Sequence, residues 1–285
     1  GLTVGAGTAA YNVIFNGASN TIAGATTFAN TGTLTLGNGG DTIAFTGGII
    51  ATAPSQVNIG GTVQATNSTI SIGDSDTPTV LTANTTISGN TSGNITLGGT
   101  VNGAFALTLN SAGTTTLSGV IGTTALTSLT TNTGGTVAIN TTAISTTGAQ
   151  TFGENATLGA DLTLTSSASG NISFAGTIES TTSARALTVN TSGATTFSGT
   201  VGATSPYLAS VTTNAGGSTA INGGSVRTTG AQTYGDNVTL GADTTLTALT
   251  TSFAGTLGST TSARDLTFGT GSGNVTFTGA VGGTN

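Results

Sequence analysis

Residues 147–153 read TGAQTFG and residues 229–235 read TGAQTYG, so this segment occurs twice in the chain. LGAD at residues 158–161 returns at residues 240–243, displaced by the same distance along the sequence. Self-similarity over a period of about 80 residues is typical of stacked repeat architectures, in which each coil packs only on its neighbours. The repeat therefore predicts the shape of the chain before any residue suggests chemistry.

The period extends along the chain and drifts slightly from one match to the next. Matching residues include Leu107 with Leu187, Phe174 with Phe253, Arg185 with Arg264, and Phe197 with Phe277. The drift suits turns of variable length between fixed strands. We predict one continuous β-solenoid over residues 1–285, built of degenerate units at approximately 1–68, 69–145, 146–227 and a partial 228–285.

Inside each unit, apolar residues alternate with Thr, as in Leu34-Thr35-Leu36, Leu162-Thr163-Leu164 and Leu187-Thr188-Val189. This period of two is expected for strands with one buried face. Gly, Asn or Ser follows almost every such segment, as turns require. Lys and Met are absent, and no helical apolar period occurs. The pattern predicts an all-β chain with essentially no helix.

Two β architectures could use this pattern: an array of sandwiches, or a solenoid of parallel strands. Strand cores recur too closely along the sequence for sandwich strands with their connections, so the solenoid is favoured. Three short strands and their turns give coils of about 20 residues, about 13–15 coils in all, and a rod about 60–70 Å long. Four coils then fill one unit, which predicts that equivalent residues stack in one column.

The composition excludes several function classes. Only 4% of residues are charged, Arg185, Arg227 and Arg264 are the only cations, and the net charge is −6. A nucleic-acid partner or a basic membrane-surface patch is excluded, because both depend on Lys and Arg. The sequence lacks His and Cys, the commonest general base and the only thiol. No apolar run approaches the roughly 18 residues of a membrane span.

Two segments, TLTLGNGGDT at residues 33–42 and TGAQTF at residues 147–152, lie in a background rich in Gly, Thr and Asn. They resemble the β-strand-repeat regions of filamentous-haemagglutinin-like and autotransporter-type bacterial surface exoproteins, over the whole length of the chain. The resemblance implies a right-handed parallel β-helix and export through an outer-membrane transporter to the cell surface. It also implies attachment to other cells or surfaces. The absence of Cys fits that route, because a disulfide would hinder threading an unfolded chain.

Candidate sites are few. Asp41, in GNGGDTI at residues 37–43, resembles the calcium turns of nonapeptide β-rolls, but those need tandem copies to surround the ion with 6–8 oxygens. A Gly-rich turn is therefore favoured over a calcium site. Asp74 and Asp76 could form a metal site or an acid–base pair, although a solvated turn is favoured. No cofactor is expected.

Residues that recur with the repeat are interpreted as structural. Glu154, Asp161, Asp236 and Asp243 are predicted to lie in turns, because an active site is not expected to recur. Arg185 and Arg264 are predicted to stack on or pair with a nearby turn, ahead of binding a sugar or partner. Scattered acids make catalysis improbable, since glycan-cleaving enzymes need clustered carboxylates. Ten Asn-x-Ser/Thr triplets give weak support for glycosylation; five are at Asn67, Asn84, Asn140, Asn190 and Asn274.

The leading hypothesis is a non-enzymatic stalk or filament segment of a secreted surface protein that serves adhesion or cell–cell contact. One alternative is a self-assembling extracellular fibre subunit, since the sequence begins in mid-pattern at Gly1 and stops at Asn285 without polar caps. That observation also favours an internal segment of a longer protein. The other alternative is an ice- or crystal-surface-binding module built on Thr arrays.

Overall fold

The computed structural model describes residues 2–282, and these residues form β-strands, bridges and turns without any helix. The prediction of an all-β solenoid is confirmed: parallel strands stack into about 12 turns. Accordingly, residues 2–282 hold no helix long and apolar enough to cross a membrane. Gly1 and residues 283–285, which carried the expectation about uncapped ends, lie outside the described part. The chain divides into two compact units, Gly1–Thr141 and Thr142–Asn285.

Residues 2–141, the described part of the first unit, contain sixteen strands separated by short turns. They are β1 (Val13–Phe15), β2 (Ser19–Ile22), β3 (Thr26–Thr27), β4 (Thr33–Leu36), β5 (Thr42–Phe45), β6 (Ile49–Ala51), β7 (Gln56–Ala65), β8 (Ile70–Ile72), β9 (Thr79–Asn90), β10 (Ile95–Leu97), β11 (Val101–Asn102), β12 (Ala106–Ser111), β13 (Thr114–Leu117), β14 (Ile121–Leu126), β15 (Ser128–Thr131) and β16 (Thr136–Ile139).

These strands form three parallel faces. Face A1 contains β1, β4, the first half of β7, the first half of β9, β11 and β14. Face B1 contains β2, β5, the second halves of β7 and β9, β12 and β15. Face C1 contains β3, β6, β8, β10, β13 and β16. Because β7 and β9 each turn a corner and serve two faces, the sixteen strands make six coils.

One such corner depends on glycine. The register of β7 against β9 shifts between Ile59 and Gly61, and Gly61 has a φ of +93°. A Cβ at Gly61 would lie 2.5 Å from the carbonyl oxygen of Asp41 on the coil before it. Only glycine combines this left-handed backbone with so close an approach.

Eighteen strands lie in residues 142–282, the part of the second unit that the structure describes. They are β17 (Ala143–Thr146), β18 (Gln150–Phe152), β19 (Asn155–Leu158), β20 (Leu162–Ser166), β21 (Ile172–Phe174), β22 (Ile178–Ser180), β23 (Ala186–Thr191), β24 (Ala194–Phe197), β25 (Ser210–Thr213), β26 (Ser218–Ile221), β27 (Ser225–Arg227), β28 (Ala231–Tyr234), β29 (Asn237–Leu240), β30 (Thr244–Thr247), β31 (Thr250–Phe253), β32 (Leu257–Ser259), β33 (Leu266–Phe268) and β34 (Asn274–Phe277).

Here, too, the strands form three parallel faces. Face A2 contains β17, β20, β23, β25, β28, β31 and β34. Face B2 contains β18, β21, β24, β26, β29 and β32. Face C2 contains β19, β22, β27, β30 and β33, with Val201 bridging β22 and β27. These elements make six coils, and β34 begins another.

The coils are longer and less regular than the sequence predicted. Leu162 pairs with Leu187 on the next coil, whereas Tyr234 pairs with Phe253, which is a clearly shorter step along the chain. The number of turns, about 12, is accordingly lower than the predicted 13–15. The difference lies in turns such as residues 202–207, which sequence periodicity does not constrain.

The prediction that equivalent residues of the repeat stack in one column is wrong. Gln150 lies on face B2, whereas Gln232, its equivalent in the next repeat, lies on face A2. Likewise, Phe197 is on face B2 and Phe277 on face A2. From β18 to β28 the chain passes through three coils and two further strands. Each repeat of the second unit is therefore displaced by one face around the solenoid axis.

The core consists of inward-facing apolar columns along each face. Strand burial alternates between buried and half-buried residues, as in β20 and β23. In the second unit, Phe152, Phe174 and Phe197 stack on face B2, with ring centroids 4.7 and 6.1 Å apart. Tyr234, Phe253 and Phe277 stack in the same way on face A2, with 5.1 and 5.2 Å between centroids. The sequence repeat thus reproduces an aromatic stack and moves it to the adjacent face.

Candidate functional site

The most regular feature of the surface is a column of hydroxyl side chains in each unit, which we call a hydroxyl ladder. The ladder of the first unit lies on face B1 and contains Ser19, Thr42, Thr62, Thr86, Thr108 and Thr130. The ladder of the second unit lies on face A2 and contains Thr163, Thr188, Thr212, Thr233, Ser252 and Thr276. Adjacent rungs lie on hydrogen-bonded strands, about 4.8 Å apart.

The ladder hydroxyls are available to a ligand. Their side chains point away from the core and are half-buried or exposed. None of these twelve hydroxyls makes a hydrogen bond to another described residue. Each Thr or Ser hydroxyl offers one donor and two acceptor sites. The ladders therefore present unpaired donors and acceptors at the spacing of the β-sheet.

Asp41 lies beside the first ladder, one residue before β5. It is 8% exposed; its Oδ2 accepts a hydrogen bond from the backbone N–H of Asn38 at 2.8 Å. Its carbonyl oxygen accepts one from the N–H of Thr62 at 2.7 Å. Within residues 2–282, no group of three or more carboxylates could hold a metal ion together. The geometry shows a carboxylate that closes a glycine-rich turn, and a calcium site at Asp41 stays untested.

Asp74 and Asp76 form a turn. The Oδ1 atom of Asp74 accepts hydrogen bonds from the backbone N–H groups of Asp76 and Thr77, both at 3.0 Å. The Asp76 side chain is exposed. The expected solvated turn is therefore the arrangement observed for these two acids.

Asn and Asp side chains at the turns brace one coil against the next. Asp161 accepts a hydrogen bond from the N–H of Ala186 at 3.0 Å, and Asp243, its equivalent, accepts one from the N–H of Asp265 at 3.2 Å. The same contact, with 2.8–3.0 Å between atoms, is made by Asn12, Asn67, Asn84, Asn94, Asn102, Asn155, Asn171 and Asn237. In each case the partner lies one coil further along the chain.

These braces were missed in the sequence, where such residues were assigned only to turns. The signal that could have revealed them is the recurrence of Asn or Asp at turns one coil apart. The side-chain oxygen of each Asn or Asp accepts a hydrogen bond from a backbone N–H that the pairing of parallel strands leaves unpaired at the corner. This requirement explains why Asn or Asp occupies these positions. The braces account for much of the Asn content of the chain.

Glu154 and Asp236, which are also equivalent in the repeat, are turn residues but not solvated ones. Glu154 is 3% exposed and Asp236 is 2% exposed. Asp236 accepts hydrogen bonds from the N–H of Gly217 at 2.8 Å and from the hydroxyl of Thr219 at 3.3 Å. Burial raises the pKa of the Asp236 carboxyl, and these two hydrogen bonds lower it by less.

We expect the stability of the second unit to depend on the charge of Asp236. Because its pKa is raised in the folded state, the folded chain binds more protons than the unfolded chain at pH values just above the ordinary pKa of 3.8. The contribution of Asp236 to stability is therefore fully present below the ordinary pKa and is lost as pH rises through the raised pKa. Asp236→Asn should remove part of this loss. Urea unfolding of the unchanged chain and of Asp236→Asn at pH 4 and pH 7 measures this loss of stability. An equal change in the free energy of unfolding between the two pH values in both proteins would contradict the role assigned to Asp236.

The arginines divide into two kinds. Arg227 stacks on the ring of Tyr207, with its guanidinium carbon 3.7 Å from the ring centroid. Arg185 and Arg264 lie in equivalent hydroxyl-rich turns, and their buried Nε atoms have no hydrogen-bond partner. Stacking on an aromatic ring is thus observed at Arg227, for which it was not predicted. Stacking or pairing of Arg185 and Arg264 with a nearby turn stays a prediction.

Two shallow depressions lie on the first unit. One, of about 250 Å³, lies beside the hydroxyl ladder and includes Asp41 and Asn84. The other, of about 520 Å³, lies on face C1 and includes Ile50, which is 46% exposed.

No family model, curated protein or solved structure matches the chain.

Proposed function

We propose that the chain is a structural segment, a β-solenoid stalk or filament segment, of a secreted bacterial surface protein that serves adhesion or cell–cell contact without catalysis. The observation that carries this proposal is the continuous parallel stacking of the coils. Every face of each unit continues in parallel register over the described residues, with apolar columns inside, and one outward column in each unit is an uncharged hydroxyl ladder. Such a coil extends a chain in space without requiring a chemical centre.

The proposed location is extracellular, and the proposed partners are an outer-membrane transporter during secretion and other cells or surfaces afterwards. The resemblance of residues 33–42 and 147–152 to exoprotein repeats supports this route. So does the absence of Cys from the sequence. Stacked coils also suit export, because each new coil can fold on the one before it without distant contacts.

Surface display tests the proposal. Residues 1–285 would be placed between an autotransporter barrel and a distal epitope tag on a laboratory bacterium. We expect the tag to be exposed on intact cells, and we expect the cells to clump or attach to abiotic and cell surfaces more than cells displaying the tag alone. A matched variant, Phe174→Asp, should disrupt the core and abolish attachment. Display of folded chain without any gain in attachment would overturn the adhesive role.

The hydroxyl ladders favour a second candidate, an ice- or crystal-surface-binding module. Their unpaired hydroxyls repeat at the strand spacing over six rungs in each unit. The neighbouring outward column of face B1 is irregular, with Thr21, Ala44, Gln64 and Ser88 in successive coils. A flat array of two adjacent regular columns is therefore not formed on this face. Measurable thermal hysteresis would support this candidate, and its absence at millimolar protein would reject it.

A further inference from the structure

We call the depression beside the first hydroxyl ladder the groove. Its volume is about 250 Å³, and residues from four successive coils line it. The lining residues are Gly40, Asp41, Gly61, Thr62, Asn84, Thr85, Thr86, Ala106 and Thr108. All of them belong to the first unit, at the edge where face A1 turns into face B1.

One wall of the groove is the ladder itself. Thr62 pairs with Thr86, and Thr86 with Thr108, in continuous parallel register. Their hydroxyls have no partner among the described residues. In contrast, the inward Thr85 donates to the carbonyl oxygen of Ala83 at 3.0 Å. The three outward hydroxyls therefore form a row of free hydrogen-bonding groups about 4.8 Å apart.

The floor and the opposite wall combine small residues with fixed polar groups. A Cβ at Gly40 would meet no atom within 4 Å, so a ligand can approach the backbone there. Oδ2 of Asp41 accepts a hydrogen bond from the backbone N–H of Asn38. Oδ1 of Asn84 accepts a hydrogen bond from the backbone N–H of Ala106 at 3.0 Å. Its Nδ2 group remains as a hydrogen-bond donor for a ligand. A ligand would thus meet donors and acceptors on both sides.

We propose that this groove binds an extended, uncharged, β-linked polysaccharide chain that lies along the solenoid axis. The inference deepens the proposed adhesive function and rests on it. A straight row of hydroxyls suits a ribbon-like glycan, because such a chain advances by about one strand spacing per sugar ring. A helically coiled glycan would leave the row after one or two rungs.

The charge of the groove points to an uncharged glycan. Its only ionisable lining residue is Asp41, and no Arg lines it. A carboxylate accepts hydrogen bonds from sugar hydroxyls, but it repels the carboxylates of an acidic polysaccharide. No aromatic side chain is among the lining residues, so binding depends on hydrogen bonds. We therefore expect weak binding at each site and useful attachment only through many copies.

Titration of the purified chain with cellohexaose tests the inference, monitored by amide chemical shifts and by calorimetry. We expect saturable shifts confined to the lining residues. The triple variant Thr62→Val, Thr86→Val and Thr108→Val removes three hydroxyls with little change of shape, and we expect about tenfold or greater loss of affinity. The matched control is Thr163→Val, Thr188→Val and Thr212→Val on the second ladder, none of which lines this groove, so this variant should bind as the unchanged chain does.

A second variant distinguishes loss of the binding site from loss of folding. Ala106→Phe places a large side chain in the groove, and unaltered thermal unfolding would show that the coils are intact. Loss of binding in this variant supports the groove as the site. Absence of cellohexaose binding by the unchanged chain, equal losses in the two triple variants, or tighter binding of oligogalacturonate would each overturn the inference. Surface attachment that persists without cellohexaose binding would overturn the groove alone and leave the adhesive stalk intact.

Discussion

Phe174→Ala is expected to lower the free energy of unfolding of the second unit by about 3–5 kcal/mol, the usual cost of removing a large buried aromatic side chain. Phe174 is fully buried. It lies between two other rings, 4.7 Å from the centroid of Phe152 and 6.1 Å from that of Phe197. Its removal leaves a cavity in the middle of a column, where neighbouring coils are held by their own hydrogen bonds and cannot close the gap.

Urea denaturation followed by far-ultraviolet circular dichroism measures this loss. The matched control is Ser173→Ala, on the same strand but facing outward, which should change stability by less than about 0.5 kcal/mol. If the two substitutions had similar effects, the assignment of inward and outward faces on β21 would be wrong. A one-residue slip in register exchanges those faces, so the pair is also sensitive to register.

Gln150→Leu is expected to have the second-largest effect, because it removes a buried side-chain donor and the hydrogen bonds that it makes. Nε2 of Gln150 donates to the carbonyl oxygens of Ile144 at 3.3 Å and Thr165 at 2.9 Å, on two adjacent coils. Each buried hydrogen bond that is lost costs about 0.5–1.5 kcal/mol. The substitution should therefore destabilise the second unit although leucine is more apolar than glutamine.

The repeat supplies an internal comparison for this prediction. Gln232 donates in the same way to the carbonyl oxygens of Val226 at 3.0 Å and Thr247 at 3.1 Å. Oε1 of Gln232 also accepts a hydrogen bond from the buried hydroxyl of Tyr234 at 3.2 Å, whereas Oε1 of Gln150 has no hydrogen-bond partner among the described residues. Gln232→Leu should therefore cost more than Gln150→Leu. Gln64→Leu, on the solvent side of β7, is the control and should be nearly neutral. Increased stability in either buried variant, measured by urea unfolding, would contradict the role assigned to these side chains.

The sequence predicted the class of fold because its signals are local. Alternation such as Leu162-Thr163-Leu164 determines which side chains are buried, and the burial of β20 follows it. Coil length could not be predicted equally well. A turn can gain residues without changing the strands beside it, and the long step from Leu162 to Leu187 contains such a turn.

The same physical reason explains the error about repeat stacking. A period of about 80 residues suggests four coils of about 20 residues each, yet Gln150 and Gln232 are separated by three coils and two strands. Only the backbone pairing distinguishes these arrangements, since both bury the same residues. The register also brings Thr62, Thr86 and Thr108 into one column beside Asp41. No local pattern identifies those four residues as neighbours, so the groove was not predictable from sequence.

Cysteine crosslinking tests the parallel register most directly, because the natural sequence has no Cys. Thr163 and Thr188 are paired on adjacent coils, and a strand spacing of about 4.8 Å allows a disulfide. The account predicts rapid disulfide formation in Thr163→Cys/Thr188→Cys under mild oxidation. It predicts none in Thr163→Cys/Asn190→Cys, where the second cysteine is displaced along its strand from the paired position. Efficient crosslinking of the displaced pair, or failure of the paired one, would contradict the solenoid described for this chain.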